Sequence, residues 1–270
     1  MSPVLSRILG LALALCAATP AAAQTTPRAD LAAVCAGFDD IQEAADQRTV
    51  EAAIAAFQRG GFAALRENLG ALRAVLDHAP ACYPAIERRG DDVIIRADDP
   101  SNVMILSTLL TAAVQGRATT VTTRPNTYPS ASLILGSYAS ETGQYAEALV
   151  WLDRGLALQP LEQGLTLEKA TALAALHRPA EAVAILQAVL DDPAQSLTLD
   201  RARFLRNLGI HLIDLNRLDD AEAALNQSIA LQADNPIARS ELEYIAQLRA
   251  GGARQNFQII PLQPTPSPQK

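Results

Sequence analysis

From residue 129 to residue 250, apolar residues recur with the three- and four-residue spacing of helices, and short polar turns separate the helical stretches. Within this part, small and large apolar residues return at the same offsets about every 34 positions. In chain order the recurring positions are Leu135-Gly136, Ala148, Leu152 and Pro160, then Ala170, Ala182, Leu186 and Pro193, then Leu208-Gly209, Ala221, Leu225 and Pro236. A period of this length is typical of helix pairs stacked into a solenoid, a class of fold that more often binds other molecules than catalyses a reaction.

The residue types of this period have a physical reason. The first position is Gly or Ala because the first helix of each pair must let the second helix approach closely, and the alanine that follows does the same from the second helix. The leucine four residues further on fills the space between adjacent pairs, and the proline beyond it lacks an N–H and stops the helix. Ala182 and Ala221 are 39 positions apart, five more than the period, which predicts an enlarged acidic loop around Asp191 to Asp200.

With these residues, the units resemble the tetratricopeptide repeat family from Pro129 to about Asn235. The resemblance implies an all-α fold, a right-handed solenoid of antiparallel helix pairs, with three repeats at 129–236 and a polar-faced capping helix at 237–250. It also implies a binding groove lined by the first helix of each pair. By repeat register, the outward-facing positions of this groove are Leu133, Ser137, Ser140, Glu141, Leu167, Thr171, Arg203, Arg206, Asn207 and Ile210.

Three of these residues, Arg203, Arg206 and Asn207, lie together at the start of a helix. A guanidinium presents a planar fork of donors, so this group is suited to grip a peptide carboxylate or an acidic side chain. The alternative is a solvated basic helix start opposite the acidic loop. The lysines and paired asparagines of the family's carboxylate-clamp subtype are absent from the first two units, which argues against the binding of chaperone tails.

Residues 24–90 carry apolar side chains at helical spacing and are predicted to form a helical N-terminal region, with breaks at Gly60-Gly61 and Ala79-Pro80. Two cysteines remain after residues 1–23 are set aside, Cys35 and Cys82. A structural disulfide that pins this region is the favoured interpretation. A redox pair and a metal site are the alternatives, although neither has the C-x-x-C spacing.

Residues 91–128 are less regular and are predicted to be a connector with one helix at about 102–115. The β-type runs Val93-Ile94-Ile95 and Thr119 to Thr123 leave room for a small two-strand element near 93–123.

The first 23 residues have the features of a cleaved signal peptide: Arg7, the apolar run Ile8 to Ala18, and the small-residue site Ala21-Ala22-Ala23. A membrane anchor is the alternative, but this run is too short to cross a bilayer. A lipoprotein signal at Cys16 is another, but the residue before it is Leu15 rather than a small one. The sequence therefore predicts an exported protein of the bacterial periplasm, with no membrane insertion after cleavage. Residues 251–270 are predicted to be a disordered, Pro-rich tail.

Without Arg7 the chain has 21 basic and 29 acidic residues, a net charge of −8. This balance argues against a nucleic-acid or anionic-membrane partner. The three histidines, His78, His177 and His211, have no metal-binding spacing, and no nucleophile motif, calcium loop or phosphate-binding glycine loop is present. The sequence thus predicts no catalytic residue, no metal site and no cofactor.

The leading hypothesis is a scaffold or adaptor that binds another envelope protein or an extended peptide in its groove. A second hypothesis is an envelope-complex assembly factor that acts through its tail, especially Phe257 to Pro261. A third, from another class, is an enzyme or enzyme subunit acting on cell-envelope polymers.

Overall fold

The computed structural model describes residues 35, 39–98, 103–104, 107–108, 120–195 and 198–254. The signal peptide predicted at 1–23 and the tail from residue 255 onward lie outside the described residues. So does most of the helix predicted at about 102–115, of which Val103, Met104, Ser107 and Thr108 are described and are helical.

The described chain is built mainly from paired helices. Two helices that are described over their whole length precede the repeats, α1 at Asp40–Leu65 and α2 at Leu69–Asp77, joined by a 3₁₀ turn at Arg66–Asn68. Three pairs follow. Their bounds are Thr127–Glu141 (α3) with Tyr145–Leu158 (α4), Gln163–Ala175 (α5) with Pro179–Asp191 (α6), and Arg201–Asp214 (α7) with Leu218–Leu231 (α8), after which Pro236–Arg249 (α9) packs against the last pair. The predicted solenoid of antiparallel helix pairs is confirmed.

The linkers between pairs differ in length, as the repeat spacing predicted. Four residues separate α4 from α5, and four separate α8 from α9, whereas nine separate α6 from α7. The longer linker contains the 3₁₀ turn Pro193–Gln195. The extra residues of the third unit therefore lie in this loop.

The first helix of each pair ends in the same way. The residues just after the helix ends are Gly143, His177 and Asn216, with φ of 75°, 59° and 60°, and Gly251 follows α9 with φ of 87°. At each end the next N–H closes a six-residue turn, for example from Arg178 to the Leu173 carbonyl at 2.9 Å. This left-handed cap reverses the chain so that the second helix returns antiparallel to the first.

Close helix contacts account for the small residues of the period. A Cβ placed on Gly136 would lie 2.6 Å from Leu152 Cδ2, and one placed on Gly209 would lie 2.6 Å from Leu225 Cγ. The leucines that face these glycines are fully buried. The predicted close approach at Gly136 and Gly209 is confirmed, and Leu152 and Leu225 pack against these glycines within their own pair.

A small sheet follows α2. Its strands are Ile86–Arg89 (β1), Asp92–Arg96 (β2) and Val121–Arg124 (β3), with β1 antiparallel and β3 parallel to β2. The prediction of a helical region over 24–90 was therefore wrong for residues 86–89, and a third strand joins the two that were expected. The reason is local: Gly90, with φ of 62°, forms a tight turn, and the polar run Ile86–Arg89 pairs with β2 as a hairpin.

The N-terminal region is otherwise as expected. Gly60 and Gly61 leave the helical conformation inside α1 and kink it, with φ of −154° and 61°. Cys35 and Cys82 form a disulfide, with their Cα atoms 5.8 Å apart. Among the described residues, no helix combines the length and apolar character needed to cross a membrane.

Candidate functional site

The first helices of the three pairs, α3, α5 and α7, lie side by side, and α9 continues the row. The surface formed by their side chains that point away from the second helices is called the A-helix surface below. Of the groove residues predicted from sequence, Thr171 and Arg203 are exposed here, and six are partly buried: Leu133, Ser137, Glu141, Arg206, Asn207 and Ile210.

Two of the predicted groove residues do not face outward. Leu167 is 4% exposed and belongs to the core shared by α5, α6 and α7, and Ser140 is 8% exposed. The outward orientation predicted for these two was wrong, and for Leu167 the reason is that α5 is a central helix. It packs Leu165 against α4 and Leu167 against α6 and α7, so only a narrow strip of its surface remains free.

Glu168, next to Leu167 in sequence, lies on that strip and was missed. Ser137 of α3 donates a hydrogen bond to its carboxylate, and Arg203 of α7 attracts it. Burial nevertheless dominates and raises the pKa of the Glu168 carboxyl above its usual value. Three successive repeats therefore meet in one polar cluster, which is called the Ser137–Glu168–Arg203 cluster.

A second carboxylate, Glu162, lies beside this cluster. It is the N-cap of α5, and its Oε2 accepts a hydrogen bond from the Leu165 N–H at 2.6 Å. Burial raises its pKa, the backbone N–H of Leu165 lowers it, and nearby Asp98 raises it further. Arg203 attracts Glu162 as well, so one guanidinium balances two half-buried carboxylates.

Asp98 is held in place by the start of α3. Its Oδ1 accepts the Asn126 N–H at 2.8 Å, and its Oδ2 accepts a hydrogen bond from the Ser130 hydroxyl. The segment after β2 thereby brings a third carboxylate to the same end of the A-helix surface.

The three residues expected to grip a carboxylate have different environments. Arg203 already faces Glu162 and Glu168. The Asn207 side-chain nitrogen donates to the Arg203 carbonyl of its own helix at 2.9 Å. Arg206 makes no ion pair with any residue in the described part of the chain.

The far end of the surface is also acidic. Burial raises the pKa of Glu241 on α9, and the neighbouring charge of Asp214 on α7 raises it further. The carboxylates on or beside the A-helix surface therefore include Asp98, Glu141, Glu162, Glu168, Asp214 and Glu241, and its cations include Arg203 and Arg206. Register alone predicted the cations but not this excess of negative charge.

Within the described residues, no three His, Cys, Asp or Glu side chains are arranged to hold a metal ion. His78 Nδ1 lies 2.9 Å from Asp46 Oδ1, His177 forms a helix cap, and His211 is buried in α7. Each of the three histidines thus has a position in the described chain that its local structure explains.

No family model and no curated protein sequence matches this chain. Solved structures do resemble it. A structure of Pseudomonas aeruginosa pilF has 15% sequence identity and a TM-score of 0.50, over 80% of this chain and 80% of that one. A tetratricopeptide repeat protein from Parabacteroides merdae has 13% identity and a TM-score of 0.47, over 77% and 61%. The first TPR domain of human RPAP3 has 21% identity and a TM-score of 0.41, over 46% and 94%. At these identities the likeness concerns the fold alone.

Proposed function

We propose, from the tetratricopeptide repeat fold of this chain, that it is a scaffold protein whose A-helix surface binds an extended segment of another protein. The observation that carries the proposal is the Ser137–Glu168–Arg203 cluster, in which side chains from three successive repeats converge on one surface. Solenoids of helix pairs offer such a continuous surface to an elongated partner.

The electrostatics of the cluster support binding over a purely structural role. Helix pairing in the repeats uses the glycines, alanines and leucines of the period, whereas Glu162 and Glu168 are half-buried carboxylates whose ionised form is disfavoured by burial. A cationic side chain placed beside them would favour that ionised form. The partner segment is therefore one that carries Lys or Arg opposite these two residues.

The remaining groove residues extend the same surface. Arg206, without a carboxylate partner in the described chain, is suited to donate to a backbone carbonyl or a carboxylate of the bound segment. Thr171 and Ile210 lie between the charged groups in the predicted register and would contact the segment's other side chains.

We place this scaffold outside the cytoplasm, in the periplasm, with another envelope protein as its partner. The features of residues 1–23 support export. The Cys35–Cys82 disulfide supports an oxidising compartment, where such bonds persist.

Crosslinking in cells, followed by mass spectrometry of the tagged protein, tests the proposal. Two variants change the surface: Glu168→Gln removes the carboxylate opposite the partner's cation, and Arg206→Ala removes the donor to the bound segment. The matched control is Arg239→Ala, which removes an exposed arginine elsewhere. We expect a partner that is captured by the wild type and the control, and about tenfold less by the surface variants, since buried charge pairs at interfaces contribute this much or more.

A partner captured equally by all versions would overturn the assignment to the A-helix surface. Binding of basic and acidic synthetic peptides to the purified protein then measures which charge the surface prefers in a partner. Preferred binding of acidic peptides would contradict the expected partner charge.

A further inference from the structure

A cleft of about 550 Å³ lies on the opposite side of α7 from the A-helix surface. Its walls are α6 and α8, and its floor is Leu205, Leu208 and Leu212 of α7. It is called the B-helix cleft below. Residues 203, 207 and 210 of the same helix belong to the A-helix surface. One face of α7 therefore lies in the A-helix surface, and the opposite face lines the B-helix cleft.

The lining of the B-helix cleft is mainly apolar. The walls carry the small side chains of Ala180, Val183, Ala184, Ala223 and Ala224, together with the uncharged amides of Gln187 and Gln227. The charged side chains of the rim are already engaged, since Arg217 donates to Asp220 at 2.8 Å and Arg201 donates to the Leu190 carbonyl at 3.0 Å. Such a lining suits an uncharged apolar segment rather than a charged one.

The described chain ends beside one mouth of this cleft. After α9, Gly251 and Gly252 reverse the chain, and the Arg254 guanidinium donates to Asn216 Oδ1 at 2.7 Å and to the Asp214 carbonyl at 3.3 Å. Asn216 directly precedes Arg217, which lines the cleft where α8 begins. Arg254, the last described residue, therefore lies next to the cleft.

The residues that follow have the composition that the cleft requires. Between residues 255 and 269 there is no charged side chain, and the apolar residues Phe257, Ile259, Ile260 and Leu262 are concentrated in one short stretch. The eight residues 255–262 reach about 26 Å when extended. Along α8 the cleft runs from Arg217 to Gln227, which is about 15 Å at the helical rise.

We propose that residues 257–262 bind in the B-helix cleft of their own chain. Covalent attachment gives such a segment an effective concentration in the millimolar range, so weak apolar contacts suffice for occupancy. Bound there, the segment covers the floor leucines of α7 and ties the end of the chain to α6 and α8. The A-helix surface remains free for a partner, so this inference stands or falls independently of the proposed function.

A photo-crosslinking residue, p-benzoylphenylalanine, in place of Phe257 of the full chain tests this proposal. The same residue in place of Gln269 is the control. We expect crosslinks from position 257 to peptides of α6 and α8, at about tenfold higher yield than from position 269. An equal mixture with isotope-labelled chains separates crosslinks within a chain from those between copies. Crosslinks mainly between copies, mainly to other surfaces, or absent at position 257 would each overturn the proposal.

A substitution in the cleft supplies a second measurement. Ala223→Glu puts a charge on the cleft wall, and Ala230→Glu puts the same charge on an exposed position of α8 outside the cleft. Since a carboxylate in an apolar contact is strongly disfavoured, we expect the crosslink yield from position 257 to fall about tenfold in the first variant and to stay unchanged in the second. Equal yields in both variants, with circular dichroism showing folded protein, would exclude the cleft as the binding site.

Discussion

The Arg96 guanidinium at the end of β2 lies 3.0 Å from the Glu43 carboxylate in the first turn of α1, and both side chains are buried. The same carboxylate accepts the Tyr83 hydroxyl at 2.8 Å and Arg124 at 2.5 Å. Arg96 also lies 2.7 Å from Glu87 of β1 and stacks over the Tyr83 ring. This network joins α1 to the three strands, and it fixes the sheet that leads into the first repeat.

Removing one partner of this network is expected to cost far more than a surface change. Glu43→Ala should lower the free energy of unfolding by about 3–5 kcal/mol, because it removes a carboxylate that faces the buried Arg96. Urea denaturation followed by circular dichroism measures the change. The exposed Glu67→Ala is the control and should stay within about 0.5 kcal/mol of the wild type. Similar losses in the two variants would show that the pair contributes little.

Gly209 and Gly70 should respond to alanine with opposite signs. Alanine favours helix over glycine by up to about 1 kcal/mol, and a Cβ at Gly70 in α2 meets nothing within 4 Å, so Gly70→Ala should stabilise. At Gly209 the new Cβ would lie 2.6 Å from Leu225 Cγ, and overpacking of about 1–3 kcal/mol outweighs the gain. Thermal unfolding of both variants measures the difference. If Gly209→Ala stabilised the protein instead, α7 and α8 would be able to move apart without a loss of stability.

His177 is a non-glycine residue in the left-handed conformation, at the turn between α5 and α6. Because a Cβ in that conformation costs about 1 kcal/mol, His177→Gly should raise the free energy of unfolding by about that amount. His177→Ala keeps the Cβ and is the matched control, with no expected gain. Differential scanning calorimetry compares the three proteins, and a gain in the alanine variant as large as in the glycine variant would rule out this cause.

The raised pKa of Glu168 predicts a pH dependence of stability. Between its ordinary pKa of about 4.3 and its higher pKa in the folded protein, the folded state binds more protons than the unfolded state. Stability contributed by this group therefore falls as pH rises through that window and is constant above it. Glu168→Gln does not titrate, so the wild type should lose stability relative to this variant as pH increases from about 4. Unfolding curves at half-unit pH intervals measure the difference, and the opposite trend would contradict the raised pKa.

Repeat spacing made much of the fold predictable, because the residues that recur set helix ends and helix contacts through their own size and backbone conformation. Gly136 and Gly209 permit close helix contacts, Pro160 and Pro236 end or begin helices, and Gly60-Gly61 breaks one. The disulfide was predictable because only Cys35 and Cys82 remain once the signal segment is set aside.

The candidate site was only partly predictable. Repeat register selected Ser137 and Arg203, which lie in the cluster, but chose the buried Leu167 in place of Glu168. One residue along a helix is a rotation of about 100°, and a central helix with neighbours on both sides leaves a strip narrower than that. Which residue occupies the strip depends on how the neighbouring helices pack.

By itself the sequence determined the helix pairs, their order, the enlarged loop before α7 and the disulfide, since each follows from local spacing or from residue count. Only the tertiary structure decided the burial of Glu43 with Arg96, the acidic A-helix surface and the B-helix cleft. These features join residues far apart in sequence, and their energies depend on burial and on charge partners that no local pattern records.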